Sequence, residues 1–286
     1  MPAAPIVPPI DPSAYHHHDH LDHDFEGTNS LEVLKDIQPG HLITVKGSLV
    51  VHGSVRGSDL VIKRDLYVVG GIFGEAGRKI VVHGKVIAGH LSNTHIECDH
   101  TVDISDSIIN SCVKARETVT VGESIIGGEV LSTAGIRAGR IGSDKSVETR
   151  VGAGTDFKLK IMFDEMNNEI AEFTQKAEKI RLGVLSLENK EKTHYGGITY
   201  QDKVLIKNSK ASLEKLEKQL DGLNARKKKF EKKIERVIGS FVEVRETIFP
   251  NTALSVQNRF VAVHKEYPAG CYTIKNDTIF RIQERL

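Results

Sequence analysis

A short phrase recurs about seven times over residues 43–154: an alternating β-branched run, a glycine, then a second β-branched run, with few aromatic residues and no helical periodicity. Self-similarity at a fixed period constrains the fold before any local motif does. Blocks begin at Ile43, Leu60, Ile80, Ile96, Val113, Leu131 and Val147, in steps of 17, 20, 16, 17, 18 and 16 residues. That spacing predicts a β-solenoid.

The physical reason lies in how little one block can do alone. Ile43 and Val45, or Leu60 and Ile62, give each strand a single apolar face, and one such strand encloses nothing. Stacking the next block about 4.8 Å further on pairs every strand with its counterpart and builds a ladder of aliphatic side chains. Glycines such as Gly53, Gly70, Gly89 and Gly122 then fit corners rather than ligand cradles. A left-handed helix of hexapeptide acyltransferases would need an aliphatic residue every six positions. The unequal steps, and pairs such as Val119 and Val121 two apart, favour a right-handed parallel β-helix and argue against acyl transfer.

After residue 154 the period changes. Leu159, Phe163, Met166, Ile170, Phe173, Ala177, Ile180, Val184 and Leu187 alternate at spacings of four and three, the seam of a coiled coil. A second seam runs through Leu213, Leu216, Leu220, Leu223, Lys227, Phe230, Ile234, Val237 and Phe241. Between them His194, Tyr195, Gly196 and Gly197 signal a turn, so two antiparallel helices forming a rod of about 50 Å are expected. Lys227 alone interrupts the apolar seam, by snorkelling or by setting register. From Val242 the β pattern returns, punctuated at Pro250 with Asn251, at Pro268 with Gly270, and at Asn276 with Asp277. The whole reads as mainly β with an α insertion. The expected units are residues 1–40 as a disordered tail and linker, 41–155 as solenoid, 156–241 as an antiparallel coiled-coil hairpin, and 242–286 as a β segment packing on or continuing the solenoid.

The tail contains five histidines and three aspartates within residues 16–24. Imidazole and carboxylate are ordinary ligands of zinc, nickel or copper, which makes His16, His17, His18, His20 and His23 weak metal candidates. A floppy tract supplies no fixed geometry, so no physiological metal site and no cofactor are expected.

A net charge of +1 gives little electrostatic support for nucleic-acid binding. The run Arg226, Lys227, Lys228, Lys229 reads as a solvated helix face, because Glu231, Glu235 and the facing helix's acids lie close in the pattern. Cys98, Cys112 and Cys271 form no close pair and are expected to be reduced thiols. No apolar run has membrane-spanning length, and residues 1–10 lack the basic and apolar parts of a secretion signal, so a cytoplasmic location is expected. For catalysis, no nucleophile with a base, paired carboxylates or phosphate loop stands at a meaningful spacing. His41, His52, His83, His90, His95 and His100 are read as solvated surface residues.

Several phrases together resemble the flagellar assembly protein A (FapA) family: Arg64 to Gly74, Ser107 to Ser111, Ser124 to Glu129, Ile141 to Ser143, and Thr247 to Pro250. Their order and spacing carry the resemblance, which spans about residues 43–282. The family's usual glycine after Pro250 is here Asn251, a residue that can occupy the same turn. Its members usually carry a larger domain before the solenoid, which puts a transferred partner interaction in doubt. The resemblance implies a non-enzymatic bacterial scaffold in flagellar assembly or its placement or regulation, offering β faces and a coiled coil to protein partners or to further copies of itself. The stretch around residues 65–77 also resembles the C-terminal β-helix of the division inhibitor MinC, and bactofilins are filament-forming β-solenoids. The alternative reading is therefore a self-assembling cytoskeletal-type polymer or a MinC-like division and morphogenesis factor.

Overall fold

The computed structural model describes residues 15–154, 156–193, 198–234, 239–257, 259–276 and 278–282. The chain divides into two compact units, residues 1–157 with 237–286, and residues 158–236.

The first unit is a parallel β-solenoid with three runs per level. One ladder passes through Phe25, Ile43, Leu60, Ile80, Ile96, Val113, Val130, Val151 and Leu254. Nine levels are thus joined by eight steps. A second ladder runs through Leu31, Leu49, Leu66, Val86, Val102, Val119, Ile136 and Val242. The third has one inward residue per level: Leu21, Ile37, Val55, Ile72, Leu91, Ile108, Ile125, Ile141 and Ile248. All nine are 0 or 1% exposed. The alternation seen in the sequence therefore becomes one continuous aliphatic core, the burial that stabilises a repeat no single level could stabilise.

Five of the seven expected block starts lie on the first ladder. Leu131 and Val147 do not; the ladder passes through Val130 and Val151. For Val147 the cause is residues 142–148, an excursion closed by the Ser146 amide donating to the Ser143 carbonyl at 2.9 Å, with Ser146 at φ 51°. Leu131 points outward, over Gly152.

The expectation of a disordered tail over residues 1–40 is corrected for residues 15–40, which form the first two levels. Strand Tyr15–His18 pairs in parallel with Ser30–Val33, and Leu21, Leu31, Val33 and Ile37 are fully buried. The histidine-rich composition hid this, because only Leu21 and Phe25 between residues 15 and 27 resemble core. Residues 1–14 of that tail lie outside the described residues.

The C-terminal segment both continues the stack and closes it. Strands Phe241–Ile248 and Thr252–Val256 form the ninth level by parallel pairing. Then Arg259–Val263 pairs antiparallel with the second of these, and Tyr267–Lys275 antiparallel with the first. Thr278–Ile282 adds a further antiparallel strand. The parallel edge left by the ninth level is consumed by the chain's own hairpins, a covered edge in place of an open template.

The second unit is an antiparallel helical hairpin, α1 (Phe157–Thr193, 37 residues) and α2 (Tyr200–Ile234, 35 residues). Thr199 and Asp202 cap α2 reciprocally: the Asp202 amide donates to Thr199 Oγ1 at 3.2 Å, and the Thr199 amide donates to Asp202 Oδ2 at 3.3 Å. Along α1 every described seam residue from Phe163 to Leu187 is at least half-buried, Ala177 and Val184 fully; along α2 the seam from Leu213 to Phe230 is half-buried. Cross-helix pairs Arg181 with Glu217 (2.8 Å) and Lys210 with Glu188 (2.7 Å) set the antiparallel register. Lys227 keeps its seam position by laying its ammonium over the Phe163 ring, 5.5 Å from the centroid. The side chains of Leu159 and Ile234, together with Val237 and the expected turn at residues 194–197, lie outside what is described.

Candidate interaction surfaces

The outward positions of the solenoid carry charge, and its histidines are organised by the coil. His52 Nε2 lies 2.7 Å from Glu32 Oε1, His83 Nδ1 2.8 Å from Asp99 Oδ2, and His100 Nδ1 2.9 Å from Glu117 Oε1. His41 faces Asp24 at 3.6 Å and His90 faces Asp106 at 3.5 Å. In each case the acid sits one level away; the separations of 16 and 17 residues for His83 with Asp99 and His100 with Glu117 equal the local coil steps, and the 20 for His52 with Glu32 is two more than the local step from Glu32 to Val50. These histidines are therefore not merely solvated, as expected; they bridge levels. The signal was present in the sequence as an acid one repeat from a histidine, and only His95, which faces Glu97 at 3.7 Å, pairs within its own strand.

The five candidate metal residues are dispersed. His17 Nδ1 pairs with Glu32 Oε2 at 2.6 Å, so Glu32, whose side chain is 11% exposed, joins His17 and His52 on either side. His16 Nε2 lies 3.3 Å from the Asn29 amide nitrogen. His18 packs edge-on to Phe25, centroids 5.4 Å apart, and the register sets His16 and His18 opposite the buried Leu31 and Val33. They thereby lid the apolar ladder at the first level. His20 and His23 flank Asp22 at 3.6 and 3.2 Å. Among the described residues no group of three or more His, Cys, Asp or Glu side chains is arranged to hold a metal ion.

His83, Asp99, His100, Arg116 and Glu117 line a shallow open recess at one corner, and Cys112 lies in another with Glu129 and Arg150. The cysteines are reduced. Burial pushes the Cys98 thiol up to about 12, and its sulfur sits 3.0 Å from the Gly84 carbonyl oxygen; burial also raises the Cys112 thiol. A thiol held protonated is a poor nucleophile.

Glycines flank the insertion on the β unit's side. The chain leaves through Gly154 (φ +85°) and re-enters through Gly239 (φ +88°), and a side chain at Gly154 would collide with Ser240 Oγ. Thr273 Oγ1 donates to the Ser240 carbonyl at 3.1 Å, tying that junction to the closing hairpins. At the glycine corner the backbone itself limits side chains: a Cβ at Gly89 would lie 2.6 Å from the Gly70 carbonyl oxygen.

A parallel solenoid, interrupted between its eighth and ninth levels by a helical hairpin and completed by antiparallel strands, defines the class, a β-solenoid protein with an α insertion. Residues 24–279 match the family model described as the Flagellar Assembly Protein A beta solenoid domain. The chain belongs to that family. No curated protein and no solved structure is significantly similar to it. Among the described residues no helix is long and apolar enough to cross a membrane.

Proposed function

We propose that this chain is a non-enzymatic scaffold of bacterial flagellar assembly or placement, acting in the cytoplasm by presenting its charged β faces and its coiled-coil hairpin to protein partners. Membership of the flagellar assembly family carries the first half of this reading. The second rests on the hairpin, whose two helices are stabilised by each other and whose outward positions are free to take a partner. The recesses on the β body are open and built from ion-paired side chains, which suits contact with another surface better than enclosure of a substrate.

The polymer alternative has less support. End-to-end stacking requires an unpaired strand edge at both ends, and the ninth level has given its edge to Arg259–Val263 and Tyr267–Lys275.

The test is genetic and morphological. Deleting the gene should reduce or misplace flagella counted by electron microscopy. Wild type should restore them, whereas an Ile170→Asp, Leu220→Asp variant, with the β body intact, should not. Normal flagella in the deletion strain would refute the flagellar role; full rescue by the hairpin variant would refute the hairpin's part in it.

A further inference from the structure

The near-zero net charge conceals a strong segregation. Residues 15–40 carry six carboxylates against one lysine, residues 41–157 carry thirteen acids and thirteen bases, and residues 158–236 carry nineteen bases against thirteen acids. Within the hairpin, α1 balances seven acids with seven bases, while α2 has eleven bases against five acids. The excess positive charge of this protein therefore sits on one helix, and the excess negative charge on the first two levels of the solenoid.

Local pairing does not cancel either charge. On the acidic levels Lys35 takes Asp19 at 2.6 Å and Arg56 takes Asp36 at 3.7 Å, but Asp22 and Asp24 face imidazoles, with side chains 58 and 75% exposed. On α2, Arg226, Lys228 and Lys229 are exposed and lie off the seam. Along the chain the two charges are far apart, the acidic levels coming first and the basic helix being inserted after the eighth level. The hairpin leaves after the eighth level, six steps or about 29 Å along the stack from the second.

We propose that a second copy of this chain supplies the counter-surface: two copies associate antiparallel about a two-fold axis, the basic α2 of each lying against the acidic first levels of the other. Charge complementarity of this kind fixes register and raises the association rate. An isologous pairing satisfies both patches at once and closes, whereas a head-to-tail arrangement would leave one of each open at the ends and grow. The association is salt-dependent, because exposed charges are screened within about 10 Å at 0.1 M and about 3 Å at 1 M. The inference stands apart from the flagellar reading and survives its failure.

Sedimentation velocity of the full chain at pH 8, above the ordinary imidazole range, tests it. At 20 mM salt the expected mass is twice 31.6 kDa, and at 500 mM the dissociation constant should rise at least about tenfold. Lys228→Glu with Lys229→Glu should give a monomer at 20 mM, as should Asp22→Lys with Asp24→Lys, each with an unchanged circular dichroism spectrum. An equimolar mixture of the two variants should recover the dimer. A monomeric wild type at 20 mM, a dimer indifferent to salt and to both reversals, or pelleting filaments would each overturn the proposal. So would a monomer that instead binds anionic vesicles or duplex DNA through α2.

Discussion

Arg78 Nη1 donates to Asp59 Oδ2 at 2.7 Å, and the Lys79 amide donates to Asp59 Oδ1 at 2.7 Å. One carboxylate on the third level thereby pins the returning end of the loop between Phe73 and Ile80, the loop that makes the step from Leu60 to Ile80 longer than its neighbours. Burial pushes the Asp59 carboxyl up, but the Arg78 and Lys79 donors outweigh it and leave it below its ordinary 3.8. A carboxyl depressed in the folded state stabilises fully above its unfolded value and loses that contribution as pH falls through the folded one.

Asp59→Asn should therefore cost about 1 kcal/mol near pH 7, the scale of a lost charge-assisted hydrogen bond at a partly exposed site. Urea midpoints of wild type and variant should converge as pH falls from 4 towards 2. A gap that stays constant across that range would show that the loop is held by something else.

The thiols should react in a fixed order. Cys98 and Cys271 are buried and Cys112 is half-exposed, so native protein with a thiol reagent at pH 8 should label Cys112 first and slowly, its thiol being raised by burial. Cys98, pushed up to about 12, should label only on unfolding. Peptide mapping by mass spectrometry reads the order, and early labelling of Cys98 would contradict its packing in the core.

Because the exit and return of the insertion meet at Gly154 and Ser240, the hairpin should be separable from the β body. Ile170→Asp with Leu220→Asp places two charges in the seam, and ellipticity at 222 nm should fall by most of the helical signal while the β body's own unfolding transition remains. Replacing residues 158–236 by a short glycine linker should give the same β transition. Loss of both transitions together would mean that the hairpin is needed to fold the solenoid.

At Asn251 the backbone is left-handed, φ +62°, and its side-chain amide donates to the Ser146 carbonyl at 2.8 Å. Asn251→Gly keeps the conformation and loses that exposed bond, a change of under about 0.5 kcal/mol; Asn251→Ala loses both and should cost about 1–2 kcal/mol. Thermal melts of the two variants separate the contributions. Equal losses would remove the backbone argument.

These residues also show what was legible in advance. The inward ladder from Ile43 to Val113 could be read directly, since a period-two pattern repeated at nearly constant steps has one physical solution. The helical seams were equally readable, because three-and-four spacing over four heptads belongs to a helix that buries one stripe. Two things were hidden. Residues 15–40 carry few aliphatics, and the first two levels are recognisable only through the parallel partners they find, such as Leu31 beneath Leu49. The bridging histidines were missed because each meets its acid through space, across a level, at a separation that means contact only when the coil step read from the apolar positions is applied to the outward ones as well. The slip at Leu131 is of another kind: Val130 and Leu131 are adjacent apolar residues, and only the register with Val113 decides which of them faces inward.

The pairing of Val151 with Leu254 has a consequence in time. Neighbours in every earlier step are separated by about one coil, but these two, like Ile136 with Val242 and Ile141 with Ile248, have the entire hairpin between them, so the last parallel step is the most non-local, the slowest kind to form. As the chain emerges from its N-terminus, levels one to eight can assemble in order while the eighth still exposes its edge. That edge stays open to any passing strand until the final 50 or so residues arrive, and the strands that complete the fold are also those that stop it from recruiting a neighbour.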